Sequence, residues 1–449
     1  MTSAAQDHRL EFFDQTAFEM MRATGRGQLM QCVWVYEHSV DIEGLRRFHR
    51  NIAQSLGGRH IERSPLPFGR PRWVKPDHAP SEIQFNETPR PRAELMEWAD
   101  ELGSLPIDPE HGPTWYLVVQ PLTDGSTAVS MVASHVIGDG TGAGLAIFEA
   151  VTGNIRDPGY DRPGARARRQ ALAADARQVI RDLPETRRAL AKGAKLVWGK
   201  RRELAQSRKT RADQPIEEFV SVPSVAVIVD IAEWDARAAS LGGNGYSLLV
   251  GFTAKLAERL GRRRRSDGAV TLVIAINLRE SLEDDRALAM AFANATVDPE
   301  KVTVDLTESR TVVRESRQMA KNQTDPTMEL LPLMPWLPKA AVKGVAELLF
   351  SYSEDLPVSC SNLGDLPPQI AQVDGTTAEL VILRALDQNV TMQEMQRSHG
   401  QLVVVSARVN GKVSISIEAY EIGADNSKQR LRDLAEATLA EFGLTAVIA

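Results

Sequence analysis

Residues 131–144 read MVASHVIGDGTGAG, an apolar run that ends in His135, with the pair Asp139-Gly140 four residues on. Two chemistries compete for this stretch. Gly138-x-Gly140-x-x-Ala143 fits the glycine pattern of a dinucleotide-binding turn, whereas a histidine between a strand end and an open glycine loop stands where an α/β scaffold carries site residues. A dinucleotide site demands a second strand within a unit of about 30 residues, ending in an acidic residue. The chain does not supply it: TGAGLAIFEAVTG is followed by NIRDPGYDRPGARARRQ, rich in turn formers and then in helix formers. The glycines instead keep backbone bulk away from a crowded centre.

At 449 residues, 43% hydrophobic and 25% charged, the chain has the composition of a soluble globular protein and the length for two sizeable domains. A formal net charge of −6 leaves no global basic field to hold a nucleic-acid backbone, so nucleic acid is not an expected partner. Cys32 and Cys360 stand far apart, which fits a reducing compartment, makes the cytoplasm the expected location and excludes a cysteine-rich metal site. The N-terminal MTSAAQDHRLEFFDQ carries acidic residues where a signal peptide needs an apolar core, and no window offers about 18 uninterrupted apolar residues. No transmembrane segment is expected.

Through residues 1–155, short β-like runs (QCVWVYEHSV at 31–40, WYLVVQPL at 115–122, STAVSMVAS at 126–134) alternate with helical stretches such as IEGLRRFHRNIAQSL, a first mixed α/β half. From 156 to 215 the β signal vanishes and Arg, Ala and Lys dominate. This reads as a helical basic connector, either simply solvated or offering a surface to an acidic partner such as a carrier protein. Strand signals resume at SVAVIVD (224–230), VTLVIAINL (270–278), LVVVSARV (402–409) and KVSISIEAY (412–420), with helices such as YSLLVGFTAKLAERLG between them, so 216–449 forms a second α/β half. The most apolar stretch, LLPLMPWLPKAAVKGVAELLF (330–350), is broken by Pro332, Pro335 and Pro338. It reads as an irregular loop leading into a core-packing helix, with cover for a groove or contact with a lipid surface as the alternative. GRRRR at 261–265 is either a solvated helix end or a grip for phosphates.

Several catalytic layouts are missing. The sequence has no G-x-S-x-G elbow, no H-E-x-x-H helix and no close metal-ligand pair among its eight histidines, which disfavours a covalent serine enzyme and a zinc enzyme; no metal is expected. Cys360, in VSCSNLGD, lacks cationic neighbours in sequence and reads as a small buried residue. That leaves His135, whose imidazole can remove a proton from an attacking hydroxyl near neutral pH. Asp139 either orients that ring or holds the loop by pairing with an arginine elsewhere.

SHVIGDGTG resembles the H-x-x-x-D-G signature of the acyltransferase superfamily that includes chloramphenicol acetyltransferase, nonribosomal peptide condensation domains, polyketide-associated acyltransferases and the wax ester synthase/diacylglycerol acyltransferases. The likeness to the last group extends over most of the chain. SPLPFGRPRWV (64–74), LPIDPEHGPTWYLVVQPL (105–122) and the strand into His135 follow the order of its first half; YSLLVGFTAKLAERLG, VIAINLR, FANA and SCSNLGDLP follow that of its second. The resemblance implies two chloramphenicol-acetyltransferase-like lobes, each a mixed β-sheet backed by helices, with an active-site tunnel between them. It places the catalytic histidine on His135 and the motif aspartate and glycine on Asp139 and Gly140, and it joins Asp139 to Arg279 of INLRE in a structural ion pair. It also puts Asn294 of FANA, and Ser361 and Asn362 of CSNLG, where side-chain donors stabilise an oxyanion or orient the acceptor. The plain alternatives are an arginine at a strand end and turn-forming Asn and Ser. Two departures matter: Ser134 stands where most wax ester synthases carry a second, adjacent histidine, and the D-F-G-W-G motif of plant acyltransferases is absent.

The activity implied is transfer of an acyl group from a thioester, acyl-CoA or a phosphopantetheine-bound carrier protein, to a hydroxyl-bearing small molecule or lipid. His135 acts as general base, no cofactor is bound, and contact with a lipid surface is peripheral. The alternatives are a condensation-type enzyme that forms an amide from carrier-bound substrates, and a non-catalytic relative that binds acyl chains or carrier proteins.

Overall fold

A computed structural model describes residues 8–209, 218–322, 328–339, 341–342 and 355–449. The alternating apolar runs form strands, gathered into two mixed sheets and a ribbon of His60–Glu62 with Arg72–Val74. The first sheet runs in the order Leu380–Asp387, Gln28–Tyr36, Thr127–Ser134, Trp115–Pro121, Gln84–Phe85. The second runs Val447–Ile448, Ser224–Asp230, Lys412–Tyr420, Gln401–Val409, Val358–Asp365, Val270–Asn277, Met290–Val297. Each sheet combines parallel and antiparallel pairs and is backed by helices, which gives the two α/β lobes.

Side-chain alternation buries the first sheet on both faces. Along Gln28–Tyr36, Cys32, Trp34 and Tyr36 join one core with Phe18, Phe48 and Trp115, while Leu29, Val33 and Val35 join another with Trp98, Ala226 and Ile228. Ala226 and Ile228 belong to the second sheet, so this second core welds the lobes together. On the other face of the second sheet, Val225, Val227, Leu272, Ile274, Val358 and Cys360 pack around Phe252 of the helix Gly245–Arg259.

One strand departs from sequence order. Leu380–Asp387, from within the stretch assigned to the second half, pairs antiparallel with Gln28–Tyr36, with Asp387 opposite Gln28. The stretch 216–449 is therefore not a self-contained lobe, because it lends a strand to the first sheet.

The described part of the connector holds the helix Arg168–Lys209. On it Ala171, Asp175 and Ala189 are buried while Arg177, Arg181, Arg187 and Arg188 are exposed, a solvated basic face. The helix packs on the proline-broken three-ten helix Met328–Trp336, whose Trp336 stacks on Phe68 with 4.8 Å between ring centres. Residues 343–350 lie outside the described residues. GRRRR is not a free basic patch: Arg262 is buried and donates to the carbonyls of His399 (2.8 Å) and Pro357 (3.3 Å), Arg264 pairs with Asp267 (3.1 Å), and Arg263 pairs with Glu258. These three side chains are engaged in structural contacts, while Arg265 is exposed. No helix among the described residues is long and apolar enough to cross a membrane.

Candidate active site

The strand Thr127–Ser134 runs into a three-ten turn, His135–Ile137, capped by Ser134, whose hydroxyl accepts Val136 N–H at 3.3 Å. The residue that stands in for a second histidine is thus a cap. Asp139 then caps the helix Gly140–Thr152, accepting Gly142 N–H at 2.8 Å. His135 sits on a short turn fixed at both ends. It is half-buried, and burial holds its pKa below the ordinary 6.5 against the opposing charges of Asp139 and Asp387. At neutral pH the ring is therefore uncharged.

Of the two roles open to Asp139, the structure takes the second. Among the described residues its carboxylate accepts from Gly142 N–H, from Ala289 N–H (2.8 Å) and from Arg279 Nη1, which lies 2.6 Å from both oxygens. Asp139 N–H in turn donates to Ala287 O at 2.9 Å. Arg279 uses Nη2 on the carbonyls of Arg286 (2.7 Å) and Ala287 (3.1 Å). The pair is sealed, with side-chain exposures of 4% and 3%. Hydrogen bonding of this kind, which engages both terminal nitrogens of Arg279 and leaves its buried Nε without a partner, is what lets a buried ion pair offset its desolvation. Arg279 follows the strand Val270–Asn277, so the pair ties the second lobe to the loop that carries His135.

The motif glycines are where the second lobe comes close. A Cβ at Gly140 would stand 2.6 Å from Leu363 Cδ2, and one at Gly142 would stand 3.0 Å from Arg279 Nη2, whereas Gly144 faces open space. Gly144→Ala is accordingly expected to stabilise the protein by about 0.5–1 kcal/mol through helix propensity. Gly142→Ala should lower stability despite the same gain, because Arg279 is fixed on three sides and cannot yield. Thermal melting of the two variants checks this; equal stabilisation by both would contradict it.

The remaining expected residues lie on the second sheet. Asn294 is opposite Val273, which is opposite Ser359, and alternation puts Ser361 on the same face as Ser359. That face is the one away from the core of Leu272, Ile274 and Cys360, and the next residue along it, Leu363, is the one that meets Gly140. Asn294 is exposed and Ser361 half-buried, and neither is hydrogen-bonded to His135 among the described residues. Asn362 makes a turn: its Oδ1 accepts Gly364 N–H at 3.0 Å at an irregularity in the strand.

Two residues not singled out from the sequence complete the seam. Arg59 is buried over the Trp73 ring and directs Nε (2.9 Å) and Nη2 (2.6 Å) onto Ile137 O and Nη1 (2.7 Å) onto Asp285 O, joining the His135 turn to the second lobe. Asp14, on the helix Phe12–Thr24, accepts Leu288 N–H at 3.0 Å. The described residues contain no cluster of three or more side chains able to hold a metal ion. Two shallow surface hollows, one beside Thr296 and Val312 and one beside Pro223 and Leu431, are not lined by His135.

No protein-family model and no curated protein sequence matches the chain. Solved structures do. The first condensation domain of the CDA synthetase superposes with a TM-score of 0.54 at 12% identity, covering 99% of this chain and 100% of that one. The chain has the condensation-domain fold. The wax ester synthase/diacylglycerol acyltransferase from Marinobacter aquaeolei VT8 shares it, with a TM-score of 0.54, 15% identity and coverage of 97% and 98%. So does the starter condensation domain of rhizomide synthetase in complex with C8-CoA and Leu-SNAC, with a TM-score of 0.50, 12% identity and coverage of 98% and 97%. At such identities the likeness is one of fold, and what the site does rests on its own residues.

Proposed function

We propose that the chain is an acyltransferase that moves an acyl group from a thioester, on coenzyme A or on a carrier protein's phosphopantetheine, to a hydroxyl group. The observation that supports this most is the clamped turn, an uncharged imidazole at a strand end held by a buried ion pair between the lobes. His135 takes the proton of the acceptor hydroxyl as its oxygen bonds to the thioester carbonyl carbon. The C–S bond then breaks and the ring returns the proton to the leaving sulfur. No acyl-enzyme forms, and Cys360, whose thiol burial pushes up to about 12, takes no part. Ser361 and Asn294 are the proposed donors to the tetrahedral oxyanion, each worth roughly 3 kcal/mol. Asp139, Arg279 and Arg59 keep the turn in register with the second lobe.

The condensation domains among the similar structures favour one second reading, amide formation on carrier-bound substrates, in which the same base serves an amine. Thiol release from acyl-CoA esters of different lengths, mixed with short and long alcohols and with amines of matched shape, separates the two. Release that needs an alcohol supports ester formation; release that needs the amine reassigns the acceptor. No release from any acyl-CoA ester or from a carrier-bound thioester tried in its place would overturn acyl transfer as the function.

The pH profile follows from the direction of the His135 shift. The base works only unprotonated, so kcat/KM should be level near neutrality and fall on the acid side with a midpoint below 6.5. A midpoint above 6.5, measured where chemistry limits the rate, would count against a buried base.

A further inference from the structure

Two adjacent peptide N–H groups of the second lobe go to two different carboxylates of the first. Ala289 N–H donates to Asp139 Oδ2 (2.8 Å) and Leu288 N–H to Asp14 Oδ1 (3.0 Å). The same segment is held through its carbonyls, since Ala287 O accepts from Asp139 N–H at 2.9 Å and from Arg279 Nη2 at 3.1 Å, and Ala289 O accepts from Leu278 N–H at 2.8 Å. Ala287, Leu288 and Ala289 are buried, and Asp14 is 1% exposed. Asp14 also accepts Glu11 N–H, at 3.3 Å, in the capping box of its helix. A cap works equally well at the surface. Sealing a carboxylate into the seam between lobes, where it loses its water, requires another reason.

We propose, on the footing that His135 is the general base, that Asp14 is a positioning residue of the active site. By holding Leu288 it fixes the peptide segment that Asp139 grips one residue further on, and through Asp139 it fixes the turn that carries His135. The N-terminal helix thereby becomes part of the site. Burial lifts the Asp14 carboxyl to about 7, with Arg59 opposing the rise and Glu11 adding to it; Arg286 and Tyr160 also face its charge. The clasp thus gains or loses a charge near neutral pH, and its ionised form is the stronger acceptor.

Asp14→Asn keeps a carbonyl for Leu288 N–H, whereas Asp14→Leu keeps the volume and removes the acceptor. Full-length variants are compared by thermal melting, by steady-state thioester turnover and by NMR titration of histidine-labelled protein, with the His135 resonance assigned by its loss in His135→Ala. Asp14→Leu is expected to lower kcat about 10- to 100-fold with KM for the thioester within about threefold, the size of effect that a small misplacement of reacting groups produces. It should also displace the His135 resonance and its titration midpoint, while Asp14→Asn keeps kcat within about threefold. A folded Asp14→Leu protein with wild-type kcat and wild-type His135 titration overturns the proposal. If that variant fails to fold, Asp14→Ser, too short to reach Leu288, takes its place under the same criteria. Because the NMR readout needs no turnover, a wild type inactive toward every thioester and acceptor tried counts against the proposed acyl transfer without bearing on the clasp, which the His135 resonance then decides alone.

Discussion

His135→Ala is expected to lower thioester turnover by about 10²- to 10⁴-fold, the range a positioned general base contributes. Binding should not follow. Among the described residues the hydrogen bonds that join the lobes here run through Asp139, Arg279 and Arg59 and not through the His135 ring, so the variant should melt close to wild type and bind an acyl-CoA ester with wild-type affinity in calorimetry. Loss of kcat with retained binding is the signature of an interaction used only in the transition state. His135→Gln, which keeps the size of the ring without its basic nitrogen, should behave like the alanine variant. Added imidazole should restore part of the alanine variant's rate by entering the space left. Turnover by His135→Ala within about threefold of wild type, well short of the expected loss, would remove the histidine from the mechanism and leave the acceptor to be deprotonated by solvent.

How far the sequence discloses this site differs from residue to residue. Apolar alternation locates Trp115–Pro121, Thr127–Ser134, Ser224–Asp230 and Lys412–Tyr420 to within a residue or two, because each strand carries its own burial pattern. Leu380–Asp387 carries such a pattern too, in LVILRALD, but which sheet a strand joins depends on a register set across hundreds of residues. His135 and Asp139 stand out in the sequence as side chains of one short motif, whereas Arg279 is pointed to by the family resemblance alone. Arg59 and Asp14 are marked by neither, since their partners are backbone carbonyls and N–H groups far along the chain, and a backbone group has no letter in a sequence. Asp14 does leave a trace, as it sits one turn before the buried Phe18 and so places an acid in an apolar stripe. Within GRRRR the burial of Arg262 is hidden for the same reason, since the carbonyls of Pro357 and His399 that claim it lie far along the chain.

The second large effect is expected at the ion pair. Arg279→Met should destabilise the protein by about 3–5 kcal/mol, because it leaves Asp139 buried with a charge that only two N–H groups answer. It should also remove most activity, since the Asp139 loop loses its hold on the second lobe. Asp139→Asn combined with Arg279→Met removes both charges, so the double variant should melt above Arg279→Met alone, with a coupling energy of roughly 1 kcal/mol or more in the double-mutant cycle. Stability would return without activity, because a pair of uncharged side chains fills the seam but does not fix the turn. Arg279→Lys separates charge from shape: an ammonium can neutralise Asp139 but cannot reach its carboxylate and the carbonyls of Arg286 and Ala287 at once, so stability should recover only partly. If the double variant melts no higher than the single one, the charge on Asp139 is not what Arg279 answers. The pair would then be packing, and the seam would have to be held by Arg59 and Asp14.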